Sequence, residues 1–251
     1  MGPHAGLGTR MKKITSLQTE LIYGIHPIEE LLKAKRRKLV TLYTTKPIPK
    51  NMQVIERLLP KSVQIQYVTR DVLTKLAGTT DHQGVVGYAA PLIIRKKFFE
   101  PTQHKKLLLL EGVQDVRNVG AILRSAYCVG IEGVIMVKKQ AAPLNAAALK
   151  AAAGFAEYLD IYVAASSQAA IIDLKKAGYT LYLAVVQGGT DATRIFYKEP
   201  LCLIIGSEGI GIAPELRKAG ELITLPQRSA DISYNASVAA GILLFLITHK
   251  N

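Results

Sequence analysis

Three short segments hold the side chains that could do chemistry. The first is Asn118-Val-Gly-Ala-Ile-Leu-Arg124-Ser-Ala. Arg124 is flanked by Ala121, Ile122, Leu123 and Ala126. A guanidinium rising from so apolar a stretch calls for an anionic partner such as a phosphate. Asn118 reads either as the cap that satisfies the free amides of the following helix or as a polar member of the same site. The second segment is Gly206-Ser-Glu208-Gly-Ile-Gly211. Glycines let the backbone approach a ligand closely. Their order is not the dinucleotide fingerprint, and no phosphate-loop pattern occurs, so neither a nicotinamide dinucleotide nor a nucleoside triphosphate is supported. Glu208 would repel phosphate and suits a cationic or hydroxyl-bearing ligand. The third segment runs from Leu225-Pro226 to Ser233-Tyr234-Asn235 and on into Ala236, Ser237, Ala239, Ala240 and Gly241. Ser233 or Asn235 can cap the helix that follows, and its small residues admit a ligand or another backbone.

These segments need elements to position them. Leu107–Leu110, Gly133–Val137, Asp160–Ala164, Thr180–Val186, Leu201–Ile205 and Leu222–Leu225 read as strands. Helical patterns lie between or after them at Val119–Cys128, Ala146–Gly154, Ser167–Ala177, Pro214–Ala219 and Asn235–His249. The alternation predicts an α/β domain with a mainly parallel sheet. Ligands in such domains bind beyond the carboxyl ends of strands, which singles out the loops after Leu110, Ile205 and Leu225. The closing helix is apolar nearly all round, which predicts burial in the domain or between two subunits. Ahead of this domain, a helix at Ile25–Arg36, a helix at Met52–Leu59 and strands at Leu39–Tyr43, Val63–Tyr67 and Gly84–Tyr88 predict a compact αβ unit. The Lys- and Pro-bearing stretch Pro91–Lys106 reads as a linker.

The chain has 251 residues, enough for one or two domains with real cores. Its net charge of +13 makes a polyanion the first partner to consider, nucleic acid before anionic membrane. Between Leu31 and Lys61 nine basic residues face a single acid, Glu56. That cluster is either a solvated face or a phosphate-contacting surface. Two cysteines, Cys128 and Cys202, exclude a disulfide scaffold and are expected to be small buried hydrophobes. The five histidines are scattered without metal-ligand spacing, so no metal is expected. No apolar run reaches the roughly 18–20 residues of a membrane span, and a reducing cytoplasm is the expected compartment. Residues 1–18 are expected to be an added or disordered lead.

Together the three segments resemble those of the SpoU-type RNA ribose 2′-O-methyltransferases of the SPOUT superfamily. The order Asn118…Arg124, Leu203-Ile-Ile-Gly206-Ser-Glu208-Gly-Ile-Gly211, Leu225-Pro226…Ser233-Tyr-Asn235 carries the resemblance. Tyr23-Gly-Ile-His-Pro27 and Asp81-His-Gln-Gly-Val-Val86 extend it to the front of the chain. The resemblance implies a C-terminal α/β knot over 107–251, a linker over 92–106 and an L30e-like RNA-binding domain over 19–91. A deep trefoil knot breaks the usual rule against threaded chains. It implies a homodimer, S-adenosylmethionine as cofactor, and an RNA substrate. By resemblance the cofactor is held by Ile205, Gly206, Gly211, Leu225 and Tyr234, and the catalytic set is Arg124, Asn118, Glu208, Ser233 and Asn235. Arg124 would act either as the base or as a phosphate clamp. The front domain points to a guanosine of 23S-type ribosomal RNA. The same reaction on a transfer RNA, or a non-catalytic assembly factor with this fold, are the competing readings.

This sequence departs from the family pattern at Gln227 and Ser229, where Met and Gly are usual, and at Tyr234, where Leu is usual. Ala152 stands where a serine is common, and the loop between Gly211 and Leu225 is one residue short. The proposed catalytic positions are intact.

Overall fold

The computed structural model describes residues 18–138, 142–229 and 232–249. The predicted lead therefore falls outside the described residues, apart from its last position. The N-terminal domain is built on β1 (Glu20–Tyr23), α1 (Ile25–Ala34), β2 (Leu39–Thr44), α2 (Gln53–Leu58), β3 (Ile65–Tyr67), α3 (Arg70–Ala77) and β4 (Val85–Ala89). Its sheet order is β1-β4-β2-β3, with β4 antiparallel to both neighbours. Gly24, at φ +94, makes the corner between β1 and α1, a conformation glycine takes without a Cβ penalty. Ile25, Ile28, Leu31 and Leu32 then recur at helical spacing and bury against the sheet.

The C-terminal domain contains β5 (Ile94–Arg95), β6 (Lys106–Leu110), α4 (Val116–Cys128), β7 (Gly133–Val137), α5 (Ala146–Ala151), β8 (Asp160–Ala164), α6 (Ser167–Ala177) and β9 (Thr180–Ala184). It ends with β10 (Thr190–Asp191), β11 (Leu201–Ile205), β12 (Glu221–Thr224) and α7 (Ala236–His249). Its eight strands lie in the order β10-β12-β9-β11-β6-β7-β8-β5. Every pairing is parallel. The core strands β6, β7 and β11 are buried on both faces, which is why they read as unbroken apolar runs. From β6 the chain moves outward through β7 and β8, then α6 carries it to β9 on the other side. The β6/β11 pair is thus where the winding reverses, the place where open α/β sheets bind ligands. From β12 the chain returns across the domain, and α7 packs on α4 and against β11. This return is the course expected of the α/β-knot fold.

Some expectations need correction. The stretch read as a linker contains β5, which pairs with β8 and so belongs to the larger sheet. Cys128 is exposed, on the outer face of α4, whereas Cys202 is buried as expected. The helix at 70–77 was not foreseen: its amphipathic signal is short, and only Leu73 is fully covered. Three of the nine cations in the basic cluster are engaged by acids. Lys33 pairs with Glu29 and Glu30, Arg36 with Asp160, and Arg37 with Glu157 and Glu20. Among the described residues no helix is long and apolar enough to cross a membrane.

Candidate active site

The glycine turn after β11 is closed on itself. Ser207 N–H donates to the Gly211 carbonyl at 3.2 Å, and Gly211 N–H returns to the Ser207 carbonyl at 2.9 Å. A Cβ on Gly206 would sit 2.2 Å from the Gly211 carbonyl carbon and 2.4 Å from the Ile212 nitrogen. Only glycine lets the two arms of the turn lie this close. Gly211 itself has φ +70, again a conformation that favours glycine. Opposite this turn, Asn235 Oδ1 accepts from the Ser237 N–H at 2.9 Å and from its hydroxyl at 2.6 Å, capping α7. Tyr234 Oη donates to the Pro226 carbonyl at 3.3 Å and folds the loop over its own start.

Between the two turns lies a cavity of about 430 Å³. Ile205, Gly206, Glu208, Gly211, Leu225, Ser233, Tyr234 and Asn235 all line it. Eight of the ten residues assigned to the site from sequence are therefore brought together. Val185, Val186, Gln227, Ala239 and Leu243 also line it. The two valines follow β9, the strand paired with β11. The rule that ligands sit beyond strand ends would have pointed to them, but no motif marks them.

Asn118 joins the site indirectly. α4 starts at Val116, and Asp115 caps it by accepting from the Arg117 N–H at 2.7 Å. Asn118 is the third residue of the helix, within its first turn and not at its cap. Its side chain donates to Glu208 Oε1 at 3.0 Å, and the N–H groups of Gln114 and Asp115 reach the same carboxylate at 3.2 and 3.3 Å. Burial alone would push the Glu208 carboxyl up. The donors of Asn118, Gln114 and Asp115 outweigh it and hold the group below the ordinary carboxylate value. The site thus keeps a fixed negative charge at neutral pH.

Arg124 lies elsewhere. It is exposed, makes no hydrogen bond or ion pair among the described residues, and does not line this cavity. It shares the outer face of α4 with Arg117, two turns earlier. The cavity suits a nucleoside carrying a positive charge. Leu225, Leu243 and Val185 offer apolar walls for a base, the Gly206 turn brings backbone close, and Glu208 supplies the anion.

Residues 105–245 match the model of the SpoU rRNA Methylase family, and residues 21–94 match that of the RNA 2′-O ribose methyltransferase substrate binding family. The chain is 30% identical over 240 residues to the 23S rRNA (guanosine-2′-O-)-methyltransferase RlmB of Vibrio parahaemolyticus, covering 91% of this chain and 96% of that one. It is 31% identical over 244 residues to the protein of the same name from Haemophilus influenzae, covering 92% and 98%. Among solved structures, the AdoMet-bound rRNA methyltransferase of Sinorhizobium meliloti superposes with a TM-score of 0.75 at 25% identity, covering 91% of this chain and 86% of that one.

Proposed function

The chain belongs to the SpoU rRNA methylase family and is an S-adenosylmethionine-dependent RNA 2′-O-ribose methyltransferase; we propose that its substrate is a guanosine of 23S-type ribosomal RNA and that it works as a homodimer in the cytoplasm. The observation that carries the reading is the meeting of the Gly206 turn, Leu225 and the Ser233–Asn235 turn on one cavity, with Glu208 held there by Asn118. The substrate class is supported by the near full-length match to two proteins named for that reaction. We assign 19–91 to RNA binding and 107–251 to methyl transfer, with 92–106 joining them and adding an edge strand.

A ribose 2′-hydroxyl is largely protonated at neutral pH and is a weak nucleophile. The protein must orient it and ease loss of its proton. Bound S-adenosylmethionine supplies an electrophilic methyl group on a sulfonium. Gly206, Leu225 and Tyr234 hold that nucleoside, with Ile205 and Gly211 shaping the turn. Glu208 stays ionised beside it. Ser233 and Asn235 close the opposite side. Arg124, exposed and without an ion pair among the described residues, has its charge available for an RNA phosphate next to the target ribose, where it clamps the strand and polarises the hydroxyl.

The homodimer reading rests on α7. Ala240, Leu243, Leu244 and Ile247 bury into the domain, yet Val238, Ile242 and Phe245 on its other face remain exposed, Phe245 by 55%. A face this apolar is expected to be covered by a second copy. We propose that in such a pair Arg124 of one subunit serves the cavity of the other.

Incubation of the protein and S-adenosylmethionine with unmodified 23S ribosomal RNA, followed by mass mapping, tests the reading. A single 2′-O-methylguanosine is expected. A methyl group appearing only on transfer RNA, or cofactor binding without transfer to any RNA, overturns the substrate assignment in favour of the transfer-RNA or assembly-factor reading.

A further inference from the structure

A second, larger cavity of about 1110 Å³ lies between the two domains. Tyr23 of β1 and the turn after α3, through Asp81, form one wall. The first turn of α4, the end of β7 and α5 form the other. This cleft is also at the carboxyl end of a parallel strand, β7. One hydrogen bond ties it to the cofactor cavity: Arg117 lines the cleft, and the adjacent Asn118, which lines neither cavity, is bonded to Glu208 of the cofactor site.

The charges on the domain interface divide in two. On one side Arg36, Arg37 and Arg95 are each met by an acid. Arg37 grips Glu157 with contacts of 3.0 and 2.6 Å, while Arg36 and Arg95 hold the two oxygens of Asp160 at 2.7 and 2.6 Å. On the cleft side, Arg117, Lys138 and Lys150 have no ion pair among the described residues. Lys150 is half-buried, and its ammonium donates to the amide oxygen of Gln83 rather than to a carboxylate. Its burial pushes its pKa down against the opposing pull of Asp81 across the cleft. Of the cleft's two acids, Glu20 is occupied by Arg37 and by the Leu92 N–H. The cleft therefore carries an excess of cations over apolar walls at Leu21, Leu92 and Leu144.

We propose that this cleft binds a single-stranded segment of RNA flanking the target nucleotide, with Arg117, Lys138 and Lys150 contacting its phosphates. The proposal rests on the methyltransferase reading only for the identity of the RNA. Unpaired cations reward a polyanion by counterion release, and apolar walls give unstacked bases a surface. The cavity is far larger than a lone phosphate needs. A duplex, read across wide grooves, would not enter it.

The test measures binding of a fluorescent single-stranded RNA to the full chain, and KM for ribosomal RNA, in the wild type and in Arg117→Glu, Lys138→Glu and Lys150→Glu. Each variant is expected to weaken RNA binding about fivefold or more. The slope of log affinity against log salt is expected to fall by about 0.7 per lost contact. The dissociation constant for S-adenosylmethionine is expected to stay within about twofold, which reports an intact fold. Arg117 and Lys138 are exposed, so those two variants carry the test if Lys150→Glu does not fold. Variants with wild-type affinity and salt slope overturn the proposal. So does full competition by inorganic phosphate at an equal phosphate concentration, which would mark a small-anion site. Loss of RNA binding in the variants, alongside a wild type that transfers no methyl group, upholds the cleft and removes the methyltransferase reading. Transfer with an unchanged KM in all three variants does the reverse.

Discussion

Asn118 donates to Glu208 across 3.0 Å, fastening the first turn of α4 to the glycine turn after β11. The bond links segments that lie on the neighbouring strands β6 and β11 but 90 positions apart in sequence. The Glu208 carboxyl is held below its usual value of 4.5 because the Asn118, Gln114 and Asp115 donors outweigh its burial. A lowered folded value means the clamp is whole above the unfolded value and is lost as pH falls through the folded one. Cofactor affinity is expected to be flat from about pH 8 to about pH 5 and to drop only below about pH 4.5. Asn118→Ala is expected to raise the dissociation constant about fivefold, equivalent to about 1 kcal/mol. Calorimetry checks both, and wild-type affinity in the variant would refute the clamp.

Arg37 and Glu157 form an ion pair buried at the seam of the two domains, with both side chains 1% exposed. Arg37 also donates to Glu20 and to the Ala90 carbonyl, at 3.1 and 2.8 Å. Removing Glu157 leaves the buried guanidinium with only Glu20, itself partly exposed, as an acid. Glu157→Gln is expected to cost about 3–5 kcal/mol. Replacing both, as Arg37→Met with Glu157→Leu, should recover most of that loss because no buried charge remains. Urea denaturation separates the cases. A single variant within about 1 kcal/mol of wild type would show that the seam opens to water.

The elements that frame the site were legible because they are written locally. Leu107–Leu110 and Leu201–Ile205 are apolar on both faces, and Gly206 and Gly211 sit where the backbone must turn tightly. Asn118 shows the limit. As a polar residue near a helix start it is locally indistinguishable from a cap, and what sets its role is Glu208, distant in the chain. Arg36 and Arg37 misled for the same reason. In sequence they belong to a basic run, and their acids, Asp160 and Glu157, lie more than a hundred residues on. The extra cavity walls at Val185 and Val186 follow from strand order, which no local pattern fixes. The apolar neighbours of Cys128 point to burial, but it sits on the same outer face of α4 as Arg124.

His82 is fully buried in the turn before β4. Its Nδ1 accepts from the Gly84 N–H at 3.0 Å, so Nε2 carries the hydrogen and donates to Thr74 Oγ1 at 3.1 Å. Burial, reinforced by Arg70, lowers its pKa from 6.5 against the opposing effect of Asp81. The neutral ring is the folded form. The unfolded chain takes up the proton first, so this stabilisation is complete above about pH 6.5 and is lost as pH falls below that value. The melting temperature is expected to decline from about pH 7 to about pH 5. His82→Leu should be about 1–3 kcal/mol less stable at pH 8, with Gly84 and Thr74 left without a partner, and should lose this part of the acid decline. An identical pH profile in the variant would remove the histidine from the account.

Arg124 and the cavity it is proposed to serve are not joined within one subunit, and that separation can be read out by mixing chains. Arg124→Ala alone is expected to cut turnover more than tenfold, about 1.4 kcal/mol or more, with cofactor affinity unchanged. Gly206→Val closes the cavity, since even a Cβ at that position meets backbone at 2.2 Å, but leaves Arg124 in place. Neither variant alone should transfer methyl groups. In a mixed dimer the Arg124→Ala subunit keeps an open cavity and the Gly206→Val subunit supplies the guanidinium. One of its two sites is then whole. Random reassortment makes about half the dimers mixed, so about a quarter of wild-type activity is expected to return. If Arg124 serves its own cavity, each mixed dimer has one subunit lacking the arginine and one lacking the pocket. Activity then stays at the level of the single variants, and the shared-site reading fails.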